Sequence, residues 1–173
     1  KLKVLHYDNE VVDLTRIILE KCNNLEELYI SEHSTMDYFA LNACKNLKYI
    51  EMPCIGNGFS EYFSSASQEL KIKLIGSKPL VANYFSQRNN IVELEIPTTI
   101  TEIGSSALSG CDNLLKLTMP NYKSIKYYGD LNNLEEITFN FNYNSKVFLD
   151  GIMYTFSNNI KRICIKFNDK IYD

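Results

Sequence analysis

The sequence predicts an α/β repeat solenoid: a coil carrying one parallel β-sheet of about eight strands, with short helical or irregular segments on its convex side. Three observations support this. An apolar residue followed by x-x-apolar-x-apolar recurs eight times along the 173 residues. The copies are spaced near 22 residues apart, and a fixed period of that size marks stacked repeats. Within each copy, apolar and polar residues alternate with the period of two that a half-buried strand requires.

The leading position falls at 2, 25, 47, 69, 91, 114, 134 and 160, so the steps are 23, 22, 22, 22, 23, 20 and 26. A truncated copy, Leu2-x-x-Leu5-x-Tyr7, opens the chain. Six copies begin with Asn: Asn24-Leu25, Asn46-Leu47, Asn90-Ile91, Asn113-Leu114, Asn133-Leu134 and Asn159-Ile160. The fourth copy is degenerate, with Ile72-x-Leu74 as its strand. Alternation turns Leu5/Tyr7, Leu28/Ile30, Ile50/Met52, Ile72/Leu74, Leu94/Ile96, Leu117/Met119, Ile137/Phe139 and Ile163/Ile165 inward. Each strand returns in the same direction after a long connection, so the strands pair in parallel. At roughly 4.8 Å per strand, eight of them span somewhat under ~40 Å.

Pro53, Pro97 and Pro120 directly follow Met52, Ile96 and Met119. A residue without an N–H ends the ladder. The recurrent Asn reads as structural, because its side chain can bond nearby backbone and it tolerates a left-handed turn. The return segment of the fifth coil has apolar residues at 100, 103, 107, 108 and 111, which fit a short helical turn that Gly110 could break. Tyr62-Phe63 and Tyr84-Phe85 recur 22 apart and should supply convex bulk in a chain without Trp.

The five cysteines, an odd number, argue against a complete disulfide framework. Cys22, Cys44 and Cys111 each stand three residues before a leading apolar position. Two readings stay open: a column of buried thiols, or a Cys22–Cys44 bridge between neighbouring coils in an oxidising compartment.

The stretch from Leu94 to Leu114 reads Leu-Glu-Ile-Pro-Thr-Thr-Ile-Thr-Glu-Ile-Gly-Ser-Ser-Ala-Leu-Ser-Gly-Cys-Asp-Asn-Leu. It closely resembles the BspA-like (Treponema pallidum-type) leucine-rich repeat, whose pattern is roughly Ile-x-Ile-Pro-x-x-Val-x-x-Ile-Gly-x-x-Ala-Phe-x-x-Cys-x-x-Leu. Flanking coils keep the Cys-x-Asn-Leu half and lose much of the Ile-Gly half. The resemblance implies a right-handed leucine-rich-repeat coil with a protein-interaction role, often on the surface of bacteria or unicellular eukaryotes that contact a host. It brings no catalytic residues.

The outward rows follow from the alignment. The first is Val4, Glu27, Tyr49, Lys71, Glu93, Lys116, Glu136 and Arg162; the second is His6, Tyr29, Glu51, Lys73, Glu95, Thr118, Thr138 and Cys164. A third runs through Asp8, Ser31, Pro53, Ile75, Pro97, Pro120, Asn140 and Lys166. Alternating signs along Lys71, Glu93, Lys116, Glu136 and Arg162, and along Glu51, Lys73 and Glu95, predict lateral ion pairs. Such pairs either hold the sheet in register or form a mixed-charge docking surface. Val4, His6, Tyr29 and Tyr49 should cluster at one end, with the composition of a binding hot spot. The candidate protein-binding residues are therefore Val4, His6, Tyr29, Tyr49, Glu51, Lys71, Lys73, Glu93 and Glu95. The run Phe139-Asn140-Phe141-Asn142-Tyr143-Asn144 and its longer coil form a second candidate, read equally as a polar insertion on the core.

A net charge of −3 offers no bulk attraction to nucleic acid or an anionic surface. No apolar run reaches the ~20 residues that span a bilayer. His6 and His33 stand in no metal-ligand spacing with cysteine, and no phosphate-binding loop or nucleophile elbow occurs. The expectation is a non-enzymatic protein-recognition module without cofactors, binding a protein or peptide, on the cell surface or secreted. The absence of any Asn-x-Ser/Thr sequon leans against a glycosylated eukaryotic secreted protein. The alternative is an intracellular scaffold or spacer, hence cytoplasmic. Residues 1–173 read as a single repeat domain, part of a longer protein, with weak self-association through the solenoid ends.

Overall fold

A computed structural model describes residues 2–7, 13–14, 19–36, 40–54, 66–120, 130–141, 158–167 and 170–172. Its elements in chain order are β1 (Val4–Tyr7), β2 (Asp13–Leu14), β3 (Glu27–Ile30), β4 (Thr35–Met36), β5 (Tyr49–Pro53), β6 (Leu70–Ile75), β7 (Ile91–Glu95), β8 (Lys116–Pro120), β9 (Glu136–Phe141), β10 (Arg162–Phe167) and β11 (Lys170–Tyr172). One sheet runs β1-β3-β5-β6-β7-β8-β9-β10-β11. Eight of its strands are parallel and follow the coils; β11 alone is antiparallel, pairing Ile165, Lys166 and Phe167 of β10.

The register matches the repeat. Leu28 pairs with Leu5 and Ile50, Ile72 with Ile50 and Leu94, and Ile137 with Leu117 and Ile163. From Leu28 to Phe139 the inward residues are at most 4% exposed. At ~25 cal/mol per Å² of apolar surface, such stacked aliphatics are the main source of stability. Pro53 and Pro120 end β5 and β8, as a missing N–H demands. Both are buried, so the third outward row does not face solvent there.

The last rung departs from expectation. Ile163 aligns with Ile137 but is 38% exposed. β11 reaches only Ile165 to Phe167, leaving Ile163 without a strand neighbour on its far side among the described residues. Cys164, in the outward row beside Thr138, is 3% exposed rather than accessible.

The fourth coil also corrects the alignment. Its leading apolar residue is the fully buried Leu70, paired with Ile91, not the residue at position 69. Other coils place two residues between the leader and the inward strand residue, as in Leu25-Glu26-Glu27-Leu28; this one places only Lys71 before Ile72. The ladder accommodates the deletion by a register shift between Leu70 and Lys71, which leaves Val92 as an extra residue on β7.

The described return segments of the fourth and fifth coils, on the convex side, are not helical. Residues 82–87 and 105–110 form runs of turns. The apolar set Ile100, Ile103, Ala107, Leu108 and Cys111 is buried as the spacing requires. However, the backbone bonds the neighbouring coil: Leu80 N–H to Glu102 O, Asn83 N–H to Ser105 O, Phe85 N–H to Ala107 O and Gln87 N–H to Ser109 O. Left-handed φ values at Asn83, Gln87, Ser106 and Gly110 break any helix and aim these groups sideways. A second seam runs along this side. Leu14 pairs with Met36 and, two coils on, Leu80 bridges Ile103, all in parallel.

The recurrent Asn bonds the backbone of the neighbouring coil. Asn46 donates to Asn23 O, Asn113 to Asn89 O, Asn133 to Asp112 O and Asn159 to Asn132 O, at 2.6–2.7 Å. Each acceptor lies one coil back, just before the position aligned with the donor. The following apolar residue closes a β-turn: Leu25 N–H reaches Cys22 O, and Leu114 N–H reaches Cys111 O. Replacing Asn113 by Ala should cost about 1 kcal/mol, and by Asp more, because a carboxylate then faces the Asn89 carbonyl. Urea denaturation of both variants checks this; an Asp variant as stable as wild type would contradict the donor role.

Cys22, Cys44, Cys54, Cys111 and Cys164 are all free thiols, so no bridge joins Cys22 to Cys44. Burial pushes the Cys44 and Cys111 thiols up to about 12. Cys111 donates its S–H to Phe85 O, making it a packing residue rather than a nucleophile.

Candidate recognition face

Alternation fixes which side chains leave the core, and the parallel register brings them into rows. Val4, Glu27, Tyr49, Lys71, Glu93, Lys116, Glu136 and Arg162 are successive Cα partners. So are His6, Tyr29, Glu51, Lys73, Glu95, Thr118, Thr138 and Cys164.

The aromatic end is continuous. The His6 ring stacks on Tyr29 with centroids 4.1 Å apart and planes 7° from parallel. Tyr29 meets Tyr49 diagonally at 5.3 Å and 46°. His6 and Val4 are exposed, and both tyrosines are half-buried. The hydroxyls are anchored: Tyr29 donates to Glu27 Oε2 at 2.9 Å and Tyr49 to Glu51 Oε2 at 3.3 Å. Burial, then the neighbouring Glu51 and Tyr29, holds the Tyr49 phenol well above its ordinary value, so it stays a neutral donor.

The charged end forms a ladder. Lys73 Nζ lies 3.0 Å from Glu51, Lys71 Nζ 3.1 Å from Glu93 and Lys116 Nζ 3.5 Å from Glu136. All are substantially solvated, so each contributes only ~0.2–1 kcal/mol. Glu95 stands next to Lys73 in the register and its field reaches the Tyr49 phenol.

A further row escapes the simple alternation. It comprises the residues just before the strands, with Lys3 on Glu26 and Lys161 on Glu135, both at 2.6 Å. The Lys3 ammonium holds the Glu26 carboxyl below the usual range. Between these pairs a groove of ≈ 280 Å³ opens, lined by Glu26, Glu27, Lys48, Tyr49, Glu69, Lys71, Val92 and Leu115. Sequence reading found Tyr49 and Lys71 but missed the groove. The signal was present as the short Leu70-Lys71-Ile72 spacing.

In the second candidate region, Phe139 and Phe141 are buried, and Phe141 stacks on Phe167 at 4.9 Å. Residues 142–157 of its longer coil, and Asp8 of the third row, lie outside the described residues. Among the described residues no group of three or more His, Cys, Asp or Glu could hold a metal ion. No described helix is long and apolar enough to cross a membrane.

A parallel repeat coil with one open sheet face defines the leucine-rich-repeat class of solenoids. The model of the BspA-type leucine-rich repeat region matches residues 1–71 and 61–172 with six copies, so the chain belongs to that family. No curated protein and no solved structure matches the chain.

Proposed function

We propose that this chain is a non-enzymatic recognition module that binds a protein or peptide on the open face of its sheet, as part of a cell-surface or secreted protein. The observation behind this reading is the stacked His6–Tyr29–Tyr49 column beside exposed Val4. Rigid aromatics with anchored hydroxyls bury large area at little entropic cost, the property of binding hot spots. The ladder of Glu51, Lys71, Lys73, Glu93 and Glu95 has alternating sign and little net field, so it sets register and does not steer. Membership of a repeat family of this type supports an interaction role and a surface location.

The test is selection of binders from a random peptide library on the wild-type protein, followed by affinity measurement on a Tyr29→Ala, Tyr49→Ala double variant. A loss of about 2 kcal/mol, roughly 30-fold, is expected. The partly exposed positions should leave the circular dichroism spectrum unchanged. Full affinity in the folded double variant rejects the site. A second reading, an intracellular spacer, is favoured by the mutual pairing of the Lys and Glu residues, which serves cohesion without any partner.

A further inference from the structure

Resting on the reading of the open face as a peptide-binding surface, we propose that the groove beside β6 is a socket for one arginine side chain of an extended partner. The socket follows from the deletion in the fourth coil. Glu26, Lys48, Val92 and Leu115 occupy the position just before the first outward row of their strands, and the fourth coil has no residue to place there. The column of side chains is therefore interrupted between Lys48 and Val92. The ≈ 280 Å³ groove is lined by residues from both sides of that gap.

Its size and walls select the occupant. The volume falls below the ~300–1,000 Å³ of sites that enclose whole small molecules, and suits a single long side chain. Val92 and Leu115 form an apolar wall, with Leu115 40% exposed despite being aliphatic. An arginine stem would cover that wall while its charged head stays at the groove mouth. The half-buried Tyr49 supplies an aromatic surface for the guanidinium. Charge decides the sign. The lining carries three carboxylates, Glu26, Glu27 and Glu69, against two ammoniums, Lys48 and Lys71, and Lys71 is already held by Glu93. The excess of negative charge in the groove favours a cationic guest. The planar guanidinium fits better than an ammonium because it offers five donors and stacks on an aromatic ring.

The experiment is an NMR titration of methyl-labelled protein with Nα-acetyl-arginine methylamide, run beside the citrulline and lysine counterparts. Saturable shifts of the Val92 and Leu115 methyls are expected with arginine, and none with neutral citrulline. Glu27→Gln with Glu69→Gln should weaken the arginine probe at least about tenfold; Gln keeps an acceptor for the Tyr29 hydroxyl. Silent methyls, equal shifts with citrulline, or equal affinity for lysine would overturn the socket. His6→Ala separates the two ideas, because His6 belongs to the aromatic column and does not line the groove; it should weaken library-peptide binding while leaving the arginine probe untouched. Library peptides that bind the aromatic column while the probe leaves Val92 silent would sink the socket alone. A bound probe with no peptide binding would sink the broader reading.

Discussion

Replacing Gly104 by alanine is expected to destabilise the middle of the solenoid. A Cβ at this position would lie 2.2 Å from Ala82 N, 2.5 Å from Val81 C and 2.7 Å from Ala82 Cα. All three are backbone atoms of the preceding coil, so no side chain can swing aside. Gly104 N–H donates to Leu80 O at 2.6 Å, and Leu80 N–H donates to Glu102 O at 3.0 Å. Moving the coils apart to admit a methyl group lengthens both bonds at once. Overpacking alone costs ~1–3 kcal/mol, and the strained pair adds about 1 kcal/mol or more. A chain of this size loses roughly 2–4 °C of melting temperature per kcal/mol, so a fall of about 10 °C is expected by calorimetry. A Gly104→Ala protein that melts with the wild type would show that the coils do not approach this closely. Gly110→Ala should do less. Its strain comes from a φ of +74°, and its nearest neighbour, Gln87 Cα, would stand at 3.1 Å.

Truncating Phe85 to alanine is expected to cost about 3–5 kcal/mol. Phe85 is 0% exposed and packs edge-on against the equally buried Tyr84, with centroids 4.8 Å apart and planes at 80°. The two rings fill the convex half of the fourth coil, where the strand side offers only aliphatics. The ring's removal leaves a cavity bounded by interlocked backbone, which cannot collapse. The Phe85 N–H bond to Ala107 O and the carbonyl accepting from Cys111 Sγ depend on the same chain position. Phe85→Leu, which retains most of the volume, should lose clearly less. Denaturant melts of both variants give the comparison, and equal losses would argue against a packing role for the ring.

Much of this fold was legible because the repeat is a one-dimensional signal. The period and the alternation together assigned the first two outward rows from β1 to β10, and the pairing reproduces both residue by residue; the third row is not reproduced in this way. The fourth coil misled because Glu69-Leu70 offers two possible leaders, and only the burial of Leu70 decides between them. The convex segment misled for another reason. Apolar residues at 100, 103, 107, 108 and 111 satisfy both a helical turn and stacked β-turns. The choice rests on hydrogen bonds to residues 22 or 24 positions away, which no local pattern contains. The same nonlocality hid the inter-coil role of the recurrent Asn. Cys164 shows the limit of alternation: parity says which side a residue takes, but not what covers that side. Of the candidate site, the aromatic column and the ion-pair ladder followed from the rows. The groove did not, because it arises from a residue that is missing.

The antiparallel β11 covers part of the sheet's edge at β10. Along Ile165, Lys166 and Phe167 it occupies the hydrogen-bonding edge of β10 that a further parallel rung would need. A further parallel rung could pair with β10 along those three residues only after β11 was displaced, so the reversed strand shields that stretch of backbone from pairing with another strand.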